Sequence, residues 1–251
     1  MSMLFAERGG EGERLLVLLH GLGATANVWK PLTGILAREW NGRWLAPDFR
    51  GHGRSVKEGP YDFEQHARDV AALIAHETEV FVLGHSFGGV IAALLGSGDF
   101  RVRPVASLAF GVKIRWSDEE KAKALDLAKR PAKIFPTREE AVERYLKMAG
   151  VFGLVDPVSR DHDAGIVAED GGWKVAQEPR TFSAVEQSVP DALRRANPPV
   201  RLAAGSNDPM VTLDDMRAID ANAYLFEGAG HNVHVEAPEQ VWQFARRVLA
   251  A

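Results

Sequence analysis

Cysteine is absent from the 251 residues, which removes disulfides, thiolate nucleophiles and thiolate metal sites at once. That usage fits a reducing compartment, and a cytoplasmic protein is the expectation. Long apolar runs are missing too. The longest, such as Val90 to Leu95, fall far short of the roughly 20 residues a membrane helix needs. Met1 to Gly10 places Glu7 and Arg8 close behind a short apolar patch, where a secretory signal needs a longer one. No Lys/Arg-rich run occurs and the formal net charge is −4, so nothing favours a polyanionic partner. No spacing of histidines and carboxylates reads as a metal site, and no cofactor is implied. The expected partner is a small-molecule substrate, with no nucleic acid and no membrane, for a monomer or homodimer.

What is present is ordinary globular composition, 46% apolar and 25% charged, in a length that suits one large α/β domain or one domain with an insertion. Leu15 to Leu19 is a continuous apolar run, as expected of a strand buried on both faces of a parallel sheet. A helical stretch follows over about Ala26 to Glu39, then strands at Arg43 to Pro47, Val80 to Leu83 and Val105 to Val112. Ala67, Val70, Ala71 and Ile74 mark one helix face by their spacing. From about Lys113 to Asn197 the rhythm changes to a mainly helical, strongly charged block, with a turn at Asp170-Gly171-Gly172. Strands return at Val200 to Ala204 and Tyr224 to Phe226, before a last helix with Val241, Phe244, Ala245 and Val248 on one face. The pattern predicts an α/β fold: a mostly parallel central sheet with helices on both faces, formed by residues 1–112 and 198–251, with a helical cap, or lid, inserted over 113–197.

Gly84-x-Ser86-x-Gly88 lies between a buried strand and an apolar helix. A serine hydroxyl is a weak nucleophile unless it is exposed, near a base and beside oxyanion donors. A sharp strand-to-helix turn presents the side chain at its tip and leaves the next backbone N–H, that of Phe87, free at a helix N-terminus. The bland alternative is a helix-capping serine after a glycine turn. The glycines of His20 to Ala24 lack the Lys-Ser/Thr that would make a phosphate loop.

Together, His20-Gly21-Leu22-Gly23, Asp48-Phe49-Arg50-Gly51-His52-Gly53-Arg54-Ser55, Gly84-His85-Ser86-Phe87-Gly88-Gly89, Gly205-Ser206-Asn207-Asp208-Pro209 and Gly228-Ala229-Gly230-His231 resemble the α/β-hydrolase superfamily. The resemblance covers the chain except its middle block. It implies the order nucleophile, acid, histidine, which Ser86, Asp208 and His231 obey. Asp214 and Asp215 compete for the acid but read as the first turn of a helix. His234 competes for the base but reads as packing at the start of the last helix. The resemblance also implies Leu22 as the second oxyanion donor, with His20 bracing its loop. His66 and His76 read as solvated helix positions, His52 as part of a structural loop, and His162 as having no evident partner.

Hydrolysis of a carboxylic ester, lactone or related acyl bond through an acyl-enzyme is the expected activity. Carbon–carbon cleavage of a β-diketone-like substrate, a cofactor-free perhydrolase and a small-ligand receptor are alternatives on the same residues. A serine nucleophile argues against the dehalogenase and epoxide hydrolase chemistry of this superfamily, which uses aspartate. The middle block holds 15 Lys/Arg and 15 Asp/Glu, so it supplies no net field for a polyanion. Its aromatics, Trp116, Phe135, Tyr145, Phe152, Trp173 and Phe182, read mostly as its own core, and Trp116, nearest a strand end, is the candidate substrate contact.

Overall fold

A computed structural model describes residues 4–249. Residues 1–3, 250 and 251 lie outside it, and with them the start of the Met1 to Gly10 segment and the outer ends of the two core stretches. In chain order the elements are β1 (Ala6–Gly10), β2 (Leu15–Leu19), a 3-10 turn (Ala26–Trp29), α1 (Lys30–Glu39), β3 (Arg43–Pro47), α2 (Phe63–Leu73), β4 (Val80–His85), α3 (Phe87–Leu95) and β5 (Ala106–Phe110). The middle block follows with α4 (Asp118–Lys129), α5 (Arg138–Met148), β6 (Ile166–Glu169), β7 (Gly172–Val175) and α6 (Val189–Arg194). The chain closes with β8 (Arg201–Gly205), α7 (Leu213–Arg217), β9 (Tyr224–Phe226), α8 (Val233–Glu236) and α9 (Pro238–Leu249).

Seven strands form one sheet in the order β1-β3-β2-β4-β5-β8-β9, parallel except for β1 against β3. The alternation of side chains sorts each central strand between two cores. Leu15, Val17 and Leu19 of β2 face the layer with α2, α3 and α6, whereas Leu16 and Leu18 face α1 and α9. Val80 and Val82 of β4 take the first side, Phe81 and Leu83 the second. This two-sided burial is why β2 is apolar at every position. The predicted face of α2 is buried throughout.

Two elements differ from expectation. β1 has the sequence Ala-Glu-Arg-Gly-Gly, with no apolar alternation. It forms as an edge strand because β3 supplies its hydrogen-bond ladder, and Gly9 lies against Trp44, whose ring would be 2.6 Å from any added Cβ. The middle block is not all helix: β6 and β7 pair across the Asp170-Gly171-Gly172 turn as a hairpin, and Phe135 bridges to Trp173 beside it. Four-residue strands joined by a glycine turn carry too little period to be told from loop. The block also leans on the sheet, since Val189, Ala192 and Leu193 of α6 join the core beside α3. Among the described residues, no helix is long and apolar enough to cross a membrane.

Candidate active site

The turn between β4 and α3 is built by steric exclusion. Ser86 adopts φ 50° and ψ −116°, outside the comfortable regions for an L-residue, a strain of order 1–3 kcal/mol. The flanking glycines permit the chain crossing. A Cβ on Gly84 would fall 2.2 Å from the Gly88 carbonyl oxygen, and one on Gly88 would fall 2.2 Å from that of Leu19. The Ser86 N–H donates to the Phe110 carbonyl at 2.8 Å, which fixes the turn to β5. Among the described residues its hydroxyl has no hydrogen-bond partner, a common state of unliganded sites.

Asp208 and His231 come from the ends of β8 and β9. The two loops interlock: Ser206 N–H donates to Phe226 O and Asn207 N–H to Ala229 O, both at 2.9 Å. Gly205 is required there, because a Cβ would meet Gly230 O at 2.1 Å. The Asp208 side chain is fully buried, accepting from Met210 N–H through Oδ1 and from His231 Nδ1 through Oδ2, each at 2.8 Å. Since the carboxylate accepts, the neutral imidazole carries its proton on Nδ1 and leaves Nε2 open as a base. Behind the ring, His85 Nε2 donates to the His231 carbonyl at 3.0 Å, and a Cβ on Gly111 would lie 3.3 Å from His231 Cε1. The imidazole therefore stands beside the Phe110–Gly111 step to which Ser86 is tied.

Leu22 and Phe87 both lie in the wall next to Ser86. The Phe87 N–H is at the first helical position and has no partner within the helix. The Leu22 loop is clamped by two buried histidines. His20 Nδ1 donates to Gly21 O at 2.7 Å while its Nε2 accepts from Phe49 N–H at 3.0 Å. His52 Nδ1 donates to Arg50 O at 3.0 Å while its Nε2 accepts from Gly23 N–H at 3.2 Å. Each ring must be neutral to do this. Burial pushes His20 down to about 4 and His52 well below its ordinary value.

The other predicted positions fall as follows. His66 is buried, not solvated: it packs edge-on against Phe49 and Phe87, and burial lowers it to about 3. It lies three positions after Phe63 and four before Val70, on the inward face of α2, where it meets the Phe87 ring. His76 is exposed. His234 is buried between Trp29, His85 and Phe110 and touches no carboxylate. Asp214 and Asp215 lie in the first turn of α7, where Asp215 pairs with Arg115 at 2.5 Å. His162 packs in the middle block, with its Nε2 2.8 Å from Asp156 O. Trp116 is half-buried in the wall of the Ser86 cavity, with Lys113 over its ring at 4.9 Å.

That cavity, of about 110 Å³, is lined also by Phe63, Val112, Val185, Val189 and Met210. These contacts were not foreseen. Met210, two residues after Asp208, was within reach of a reading by proximity, whereas Val185 and Val189 depend on how the middle block folds back. Glu236 was also missed. Its carboxylate accepts from Gly230 N–H at 2.7 Å and Asn232 N–H at 3.0 Å, gripping the chain on both sides of His231. Among the described residues Lys113 is the only charge in the cavity wall, and it pairs with Glu120 and with the Trp116 ring. Among the described residues, no group of three or more histidines and carboxylates converges as metal ligands.

This geometry stands beside a match over residues 16–244 to the model of the alpha/beta hydrolase family. The chain belongs to that family. A pimeloyl-[acyl-carrier protein] methyl ester esterase of Sodalis glossinidius is 39% identical over 92 residues, 37% of this chain and 34% of the relative. The match thus spans about a third of that curated relative. Among solved structures, a thioesterase domain from the curacin biosynthetic pathway superposes with a TM-score of 0.77 at 18% identity, covering 97% of this chain and 94% of the other. An E-2-(acetamidomethylene)succinate hydrolase gives 0.76 at 22%, covering 99% and 95%. At these identities the superpositions establish the α/β-hydrolase fold.

Proposed function

We propose that this family member hydrolyses a carboxylic ester, lactone or related acyl bond of a small molecule, with Ser86 as nucleophile, His231 as general base and Asp208 as its orienting carboxylate. The observation that carries the reading is the His231 Nδ1 to Asp208 Oδ2 contact of 2.8 Å onto a fully buried carboxylate, beside a serine strained at an elbow. In the first half-reaction Ser86 Oγ attacks the acyl carbon and its proton passes to His231 Nε2. The new oxyanion takes hydrogen bonds from the Leu22 and Phe87 N–H groups. The bond to the leaving group breaks as His231 returns the proton to it, giving an alcohol and an acyl-serine. Water repeats the sequence on the acyl-serine, releasing the acid and restoring Ser86. Asp208 stabilises the imidazolium formed in each half without taking its proton.

The cavity beside Ser86 is walled by apolar side chains and its one cation is already answered, so a small, neutral, apolar acyl group suits it. The block 113–197 acts as the lid that selects the substrate, with Trp116 as a wall residue that touches it. The test is hydrolysis of short p-nitrophenyl esters against carboxylate-bearing esters of matched size. Turnover lost at least a thousandfold in Ser86→Ala, with the neutral ester preferred, is the expected result. A tenfold preference for the charged ester that Lys113→Ala abolishes would overturn the apolar reading, and full turnover in Ser86→Ala the mechanism.

A further inference from the structure

We propose that the lid contains a second binding pocket, separate from the Ser86 cavity, that takes an apolar chain ending in a carboxylate. The cavity lies between the end of α4, α5 and the segment after β7. Its volume of about 420 Å³ compares with about 110 Å³ beside Ser86, and the two share no lining residue. Its walls are apolar, with Leu127, Phe135, Met148 and Phe182 among them, and three cations, Arg130, Lys133 and Arg144, line it with no carboxylate.

The cations are not equivalent. Arg130 is paired with Asp126. Lys133 rests over the Phe135 ring at 4.9 Å, and among the described residues neither it nor Arg144 forms an ion pair. Nearby Lys147, by contrast, is paired with Glu143. Lys133 and Arg144 are exposed and also border a neighbouring groove with Glu140 and Glu143. Two positive charges without a direct ion pair at the edge of an apolar cavity complement a ligand that is apolar along its length and negative at one end. Burial of the chain supplies the attraction. The guanidinium fork of Arg144 matches the two oxygens of a carboxylate, and Lys133 adds a point charge. An uncharged chain would leave both cations as they are and gain only the burial. The floor abuts the oxyanion loop from behind: a Cβ on Gly23 would meet Met148 O at 2.9 Å and Gln177 Oε1 at 3.5 Å.

The methionines allow the two cavities to be told apart. Met148 lines the lid pocket, Met210 lines the Ser86 cavity, and Met216 is buried in the core. The experiment titrates methyl-¹³C-methionine protein with octanoate, and separately with octan-1-ol, following the methyl resonances. The expected result is a saturable shift of Met148 with octanoate, at least tenfold weaker affinity for octan-1-ol, and at least tenfold weaker octanoate binding in Lys133→Gln/Arg144→Gln. Turnover of a short ester should be unchanged in that variant, and an unmoved Met216 resonance shows that its fold is intact. No saturable shift at Met148, equal affinity for the alcohol, or a double variant that binds octanoate as well as the parent would each overturn the proposal. None of the three overturning results, all of them binding measurements, depends on Ser86 being a nucleophile.

Discussion

Asp208→Asn keeps the size of the side chain and removes its charge, so it isolates what the carboxylate does. With an amide at Oδ2 the His231 ring is no longer held with its proton on Nδ1, and Nε2 ceases to be a ready base. Turnover should fall by roughly 10⁴-fold, the scale set by the equivalent change in a serine protease triad. Steady-state kinetics on a short ester checks this, and near-parental turnover would remove Asp208 from its role. Glu236 is a positioning residue by contrast. It touches no reacting atom but holds the N–H groups of Gly230 and Asn232. Glu236→Gln weakens two charge-assisted hydrogen bonds, so kcat should drop about tenfold, in line with a loss of about 1.4 kcal/mol, with KM little changed. A change confined to KM would show that the loop contacts substrate instead.

At the scale of elements, the glycines of the elbow and of α1 make opposite predictions. Gly88→Ala drives a methyl to within 2.2 Å of Leu19 O on β2, so β2, β4 and α3 must move apart, and the folded protein should lose about 3 kcal/mol or more. Gly34 sits in α1 with open space around it. Gly34→Ala should stabilise by about 0.5–1 kcal/mol, because only backbone freedom of the unfolded chain is lost. Urea unfolding of both variants decides the matter, and equal effects would contradict the crossing described at the elbow. The same elements show what a linear reading reaches. β2 was legible because burial on both faces leaves no polar position, and the elbow because its glycines sit at the two chain crossings. The Ser86, Asp208 and His231 positions followed from strand ends and motif order. β1 was not legible, since its stability comes from β3 and from Gly9 under Trp44. The β6–β7 hairpin is too short for a period, whereas His66 did carry a signal that its polarity masked: it lies three residues after Phe63 and four before Val70, on the inward face of α2.

The whole molecule carries five fully or nearly fully buried histidines around the site. Burial lowers His20 to about 4 and His66 and His234 to about 3, and holds His52 and His85 well below their ordinary value. Above about pH 6.5 these rings are neutral both folded and unfolded and contribute no pH dependence. Below it the unfolded chain takes up protons that the folded chain refuses, so stability falls as pH drops from about 6.5 toward 4, by roughly 1.4 kcal/mol per pH unit for each such histidine. His66 makes no hydrogen bond through either nitrogen. His66→Leu should therefore remove about one proton from the unfolding linkage between pH 6.5 and 5, measured by denaturant titration across that range. An unchanged slope would mean that His66 is protonated in the fold. The proposed function requires three chain segments, the ends of β4, β8 and β9, to meet at one point. The most direct measurement of that meeting is covalent labelling of the native protein with a fluorophosphonate, read by intact mass and peptide mapping. A single adduct on Ser86, forming at least a hundredfold more slowly in His231→Ala, is the predicted result. An adduct on another serine, or equal labelling rates in the two proteins, would contradict the account.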